Sequence, residues 1–207
     1  MQPLYIDLTG KKVVIVGGGR IAARKGRTLA EEKAQITFIA PEFSKELLTL
    51  AEEKGCSLHK RKAEPSDFDR AFLIILATNN SLVNEGLAKK ISPNQLVCVA
   101  DDATEGNVVF PATFNRGQLQ IAVTTNGASP KLTKKIKNDL EAQFDESWER
   151  YTQFLYQCRT LLKKLSLSME ERNRKLGELL DDQYRIDEMA QAAKLEELME
   201  KARVDCH

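Results

Sequence analysis

Val13-Val14-Ile15-Val16-Gly17-Gly18-Gly19-Arg20-Ile21-Ala22 is an apolar, β-branched run that breaks into three glycines and resumes with residues suited to a helix. The run has the character of a strand buried on both faces, because no position in it alternates to polar. The glycines match G-x-G-x-x-A in the strand-turn-helix context where that pattern carries a mechanism. Gly17 permits the tight turn, Gly19 lets the backbone approach a pyrophosphate, and Ala22 allows the helix to pack closely on the strand. Unpaired amides at the start of the helix attract phosphate oxygens. Gly17, Gly18, Gly19, Arg20, Ile21 and Ala22 are therefore the candidate dinucleotide contacts. The competing reading is a glycine turn that binds nothing.

Outward from this stretch, short β-branched runs alternate with helical ones. Lys12 to Val16, Gln35 to Ile39, Ala71 to Ala77, Leu96 to Ala100 and Leu119 to Thr124 read as strands, and Ala22 to Glu32, Ser44 to Lys54 and Ser81 to Lys90 as crossover helices. Such alternation predicts an α/β fold with a doubly wound parallel sheet. The second strand ends Phe38-Ile39-Ala40-Pro41, without the acidic residue that commonly holds the ribose hydroxyls, and Glu42 stands late for that task. No arginine follows it to favour a 2′-phosphate, so these residues leave NAD and NADP both open. Thr78, after another buried run, either contacts the dinucleotide or is simply a polar strand exit.

All six prolines and ten of the eleven glycines precede residue 131, so the composition divides the chain in two. Beyond Ser129-Pro130, a serine cap and a first-turn proline launch a helix over Lys131 to Phe144. A second helix covers Glu146 to Leu165, Ser168 and Glu171 have capping-box spacing, and a last helix runs from about Arg185 to Ala202. Leu132, Ile136, Leu140 and Phe144 form a stripe that must be buried against this chain or another. Trp148, Tyr151, Phe154 and Leu155 share a face that reads as core.

The whole-chain composition narrows the class. With 207 residues, 42% hydrophobic and 29% charged, the chain has enough apolar material for a core. Thirty-one basic against 30 acidic residues give a formal charge of +1, without the excess of a general nucleic-acid binder. No apolar run is long enough to span a bilayer and no secretory leader is apparent, so a cytoplasmic protein is expected. Cys56, Cys98, Cys158 and Cys206 form no CxxC pair and read as reduced thiols; His59 and His207 complete no metal-ligand pattern.

Several motifs coincide in one family. Gly17 to Lys25, Val99-Ala100-Asp101-Asp102 and Thr124-Thr125-Asn126-Gly127-Ala128-Ser129-Pro130 resemble, in order and spacing, the precorrin-2 dehydrogenases of sirohaem synthesis. The resemblance runs from about residue 4 to 145 and more loosely through the tail. It implies an N-terminal Rossmann-like NAD-binding domain over 1–112, a dimerisation and substrate-loop segment over 113–145, and a C-terminal helical domain over 146–207. It also implies NAD-dependent oxidation of precorrin-2 to sirohydrochlorin by a homodimer. Two departures stand out: Thr125 occupies a position where some relatives carry serine, and the methyltransferase domain of the fused synthases is not expected here.

The reaction removes a hydride and a proton, so a base is required beside the nicotinamide. Asp101, at a strand exit, is the candidate, with a pKa expected to be raised by partial desolvation; the alternative is a turn cap. The polycarboxylate substrate calls for basic groups and amides, and Arg116, Thr125, Asn126, Gly127 and Lys131 are the candidates, against a solvated helix face for the lysine. Arg20, Arg24 and Lys25 either meet phosphate or point to solvent. Metal insertion as an added activity, and a dinucleotide-sensing interaction module, are the alternative functions.

Overall fold

The computed structural model describes residues 1–102 and 104–204, so Cys206 and His207 lie outside the described residues. The chain forms two compact units, Met1–Phe110 and Pro111–His207.

In the first unit the elements follow β1 (Lys12–Val16), α1 (Arg20–Glu31), β2 (Gln35–Ile39), α2 (Lys45–Lys54) and β3 (Ser57–His59). A 3₁₀ turn at Pro65–Phe68 then leads to β4 (Leu73–Leu76), α3 (Ser81–Ala88) and β5 (Leu96–Val99). The five strands are parallel in the order β3-β2-β1-β4-β5. β1 alternates between the two faces as its uninterrupted apolar sequence demands. Val13 and Ile15 join Ala22, Ala23, Leu29, Leu47 and Leu50 in a core beneath α1 and α2. Val14 and Val16 join Phe68, Ile74, Leu76 and Leu87 on the opposite face. Gly26 of α1 rides on the Phe38 ring so closely that a Cβ there would lie 2.3 Å from its Cζ.

Helix ends obey local chemistry. Ser44 Oγ accepts from the Leu47 amide at 3.3 Å to start α2, and Gly55 in a left-handed conformation (φ +68°) ends it. The crossover from β3 to β4 is a 3₁₀ turn rather than a helix. A groove of about 880 Å³, lined by Lys12, Gln35, Thr37, Lys54, His59 and Arg70 among others, lies in this unit. None of the glycine-turn residues lines it.

The second unit begins with β6 (Ala112–Arg116) and β7 (Leu119–Val123), followed by α4 (Pro130–Gln143), α5 (Ser147–Leu162), α6 (Met169–Glu178), α7 (Gln183–Ile186) and α8 (Glu188–Val204). β7 is not a sixth parallel strand: Arg116 pairs with Leu119 across a two-residue turn, and a connection that short closes only an antiparallel hairpin. Gly117 in that turn has φ +58°, and Thr152 of α5 holds the tip by accepting from the Gln118 amide at 3.0 Å and donating to the Arg116 carbonyl at 2.9 Å.

The last expected helix is divided, because the Asp187 carboxylate accepts from the Met189 and Ala190 amides and so starts α8 afresh after α7. The Ser168 and Glu171 capping box is present at α6. Tyr151, Phe154, Cys158, Leu162, Leu179 and Leu198 form the core of the helical part, with Trp148 and Leu155 packed against it. Burial raises the Cys158 thiol pKa to about 11, which leaves it protonated and inert as a nucleophile.

Candidate functional site

Parallel pairing brings the carboxyl ends of β1, β2, β4 and β5 to one edge. Gly17 N–H bonds the Ile39 carbonyl at 3.0 Å, Ala77 N–H the Val16 carbonyl at 2.8 Å, and Ala100 N–H the Leu76 carbonyl at 2.9 Å. The chain leaves β1 and turns toward β2 on one side, while β4 and β5 are added on the other. This reversal of winding direction opens the crevice in which doubly wound sheets bind ligands.

The glycine turn sits at that reversal. Gly17 has φ +144°, and a Cβ on it would lie 2.4 Å from the Ala77 carbonyl oxygen, so the exits of β1 and β4 approach at backbone distance. Gly18 is wedged against the Glu42 carbonyl, 1.8 Å from where its Cβ would be, and its own carbonyl accepts from Ser44 N–H at 2.8 Å. Gly19 differs: it is the N-cap of α1, and its Cβ position meets nothing within 4 Å. No side chain caps that helix end and no acidic residue lies in its first turn. The open approach at Gly19 and the uncapped amides fit the diphosphate of a dinucleotide.

Around the turn, Ala22 and Ala23 are fully buried on the inner face of α1, whereas Arg20 and Ile21 are exposed beside the open end. Lys25 is turned away: its Nζ lies 3.9 Å from the Phe110 ring centroid, and burial lowers its pKa, so it joins the packing rather than the turn. Glu42 is nearer than its sequence position implied, since its backbone packs directly on Gly18 and its side chain is exposed. The β2 exit folds back across the turn, which residue counting does not reveal.

Thr78 and Asp101 follow β4 and β5 at the same edge and are joined through a third residue. Asn84, on α3, accepts from the Thr78 amide at 3.2 Å and the Thr78 hydroxyl at 2.6 Å, and donates to Asp101 Oδ1 at 2.9 Å. The Thr78 hydroxyl therefore points inward. Asp101 is exposed, and hydrogen bonds from the Ser81 hydroxyl and the Asn84 amide lower its carboxyl pKa. This corrects the expected raised value: donors stabilise the ionised form, and desolvation opposes them less strongly. Sequence reading passed over Asn84 and Ser81, although Asn84 shares the buried face of α3 with Leu87, three residues on, and an amide there needs partners.

The second unit gathers the other candidates around the start of α4. Thr125 Oγ1 contacts Ser129 N at 3.0 Å, Ser129 O at 3.2 Å and Thr133 Oγ1 at 3.0 Å, so it ties the loop together. Asn126 and Gly127 are left-handed at φ +50° and +86°, and Ser129 caps α4 by accepting from Leu132 N–H at 3.2 Å. Lys131, in the first turn, is exposed. Arg116 is mostly covered, its guanidinium 5.6 Å from the Phe114 ring centroid and 4.0 Å from Glu141, and its buried Nε lacks a hydrogen-bond partner. α4 has no buried residue, and Leu132 and Ile136 remain 47% and 36% exposed. Among the described residues no group of three or more His, Cys, Asp or Glu could hold a metal ion. None of their helices is long and apolar enough to cross a membrane.

Comparison with known proteins covers most of the chain. Residues 4–112 match the family described as putative NAD(P)-binding, 116–143 the central part of sirohaem biosynthesis proteins, and 148–194 the SirC C-terminal domain. The chain is 39% identical to a precorrin-2 dehydrogenase of Priestia megaterium over 198 residues, covering 96% of this chain and 98% of that one. It is 42% identical over 159 residues to a precorrin-2 dehydrogenase of Bacillus subtilis, covering 77% of this chain and 98% of the relative. The solved structure of SirC, precorrin-2 dehydrogenase, superposes with a TM-score of 0.84 at 41% identity, covering 97% of this chain and all of that one.

Proposed function

The chain belongs to the precorrin-2 dehydrogenase family, and on that premise we propose that it oxidises precorrin-2 to sirohydrochlorin with NAD, Asp101 accepting the proton that leaves with the hydride. The protein is an oxidoreductase of sirohaem biosynthesis that uses a nicotinamide dinucleotide. The observation that carries the finer reading is the meeting at one sheet edge of an open, uncapped helix start and an ionised carboxylate.

Bound at the turn, the dinucleotide supplies the hydride acceptor. The amides after Gly19 hold its diphosphate, Gly17 and Gly18 set the backbone path, and Arg20 and Ile21 border the open side. Ala22 keeps α1 close to the sheet, and Thr78 contributes the wall at the β4 exit, its hydroxyl being spent on Asn84. Loss of hydride from the macrocycle leaves a cation whose adjacent proton is strongly acidified, so a carboxylate of low pKa suffices to remove it. The carboxylates of precorrin-2 are matched by Arg116 and Lys131 and by the amides at Thr125, Asn126 and Gly127. The exposed Leu132 and Ile136 on α4 support a homodimer, because an apolar helix face of this kind is stabilised by a second copy. We place that dimerisation segment at residues 113–145 and the enzyme in the cytoplasm.

An anaerobic assay tests the reading: precorrin-2 with NAD should yield NADH and the sirohydrochlorin spectrum in equal amounts. No NAD reduction would overturn it. Glu42 supports NAD over NADP, since an acidic side chain beside the turn disfavours a 2′-phosphate. Glu42→Ala should narrow the ratio of kcat/KM for NAD to that for NADP by about tenfold, corresponding to about 1.4 kcal/mol of discrimination. An unchanged ratio would remove Glu42 from that role.

A further inference from the structure

Asn84 is fully buried and is the only polar or charged residue in the buried core among the described residues. Removing an amide from water is costly unless its hydrogen bonds are remade, and an apolar residue would fill the same position without that cost. The amide is not there to cap α3, because Asn80 already accepts from the Val83 amide at that helix start. Its bonds instead join two strand exits. The Thr78 backbone N–H, 3.2 Å away, can only donate, which fixes Oδ1 on that side. Nδ2 is thereby aimed at Asp101 Oδ1, 2.9 Å away, with a longer contact to the Thr78 carbonyl at 3.4 Å.

We propose that Asn84 is the positioning residue of the reaction: it locks the Asp101 carboxylate to the β4 exit and holds it as a hydrogen-bond acceptor. This rests on Asp101 being the proton acceptor. The orientation of the amide carries the inference, because a donor-only nitrogen makes a charge-assisted hydrogen bond to an ionised carboxylate and a weaker one to a protonated carboxyl group, and so favours the ionised form. Asp102 is the neighbouring carboxylate, and the charge on Asp101 acts against its ionisation. On α3, Ser81 also donates to Asp101, and Glu85 is engaged by Lys89 at 2.5 Å.

Asn84→Asp keeps the shape and replaces the donor with a second carboxyl group, so the pair must share a proton. The native kcat should be flat with respect to Asp101 ionisation from about pH 5 to 8. In the variant, kcat at pH 7 should fall at least about tenfold and recover as pH rises, an acid limb displaced upward by at least about one unit. A purely structural role would lower Tm and scale activity equally at every pH. The exchange Asn84→Asp with Asp101→Asn restores a donor facing an acceptor, and should return Tm and NAD binding toward native values without returning turnover.

A folded Asn84→Asp protein whose pH profile parallels the native one overturns the proposal. If the single variant does not fold, rescue of folding by the exchange supports the pairing, and failure of the exchange to fold overturns it. Absence of precorrin-2 oxidation by the native chain would instead overturn the function from which the proposal starts.

Discussion

Replacing Asp101 by asparagine is expected to lower kcat by about two to four orders of magnitude while leaving the Kd for NAD within about twofold. The substitution keeps size and polarity, and the residue is exposed, so folding is not at stake. It places an amide opposite the Asn84 Nδ2 and removes the only group at that edge proposed to take a proton. The sign of the pH effect follows from the lowered pKa. The ionised form persists below the ordinary aspartate range, so Asp101 contributes no acid limb to kcat between about pH 5 and 8. Its contribution to stability is present above the unfolded-state pKa and fades as pH falls through the lower folded value; the group is so exposed that this contribution is small. A variant with native turnover would remove Asp101 from catalysis, and a native acid limb near pH 6 that Asp101→Asn abolishes would contradict the ionisation described above.

The second large effect separates two adjacent glycines. Gly18→Ala forces a Cβ to within 1.8 Å of the Glu42 carbonyl oxygen, and backbone cannot yield there without moving the β2 exit. It should destabilise the protein by about 2–3 kcal/mol, visible as a lower Tm, and abolish NAD binding with it. Gly19→Ala meets no atom within 4 Å, at φ −96°, so Tm should stay within about a degree. Its methyl group nonetheless occupies the space through which a diphosphate reaches the helix amides. NAD affinity should fall by about tenfold or more, read by titration. If Gly19→Ala binds NAD normally, the diphosphate does not lie on this helix start.

Much of the nucleotide-binding unit was legible because its strands are short, apolar and bounded by glycine or polar exits. β1 and β2 coincide with the runs read from residues alone, and Ala22 packs as its small size implied. What escaped depends on partners distant in sequence. Ala112 to Arg116 lacks the apolar alternation of a strand and pairs only because Gly117 closes a hairpin on α5. Asn84 lies in an ordinary helical stretch, and its partners stand six and seventeen residues away. The ionisation of Asp101 was misread for the same reason: Val99-Ala100-Asp101-Asp102 carries no trace of the donors that face it. Thr125 shows the limit in another form, since its hydroxyl is occupied by its own loop, which neither composition nor motif reveals.

The contact between Gly26 and Phe38 has a consequence for inheritance. Gly26 is seven residues beyond Gly19, about 10 Å along the helix, yet the depth at which α1 rests there sets where its first amides stand. A methyl group at 26 would push on the Phe38 ring and lever the opposite end of the helix. The two positions are therefore bound as a pair, small with large: related chains that enlarge the first should shrink the second. A lineage that changes only one of them would alter its hold on the cofactor without touching a residue of the turn.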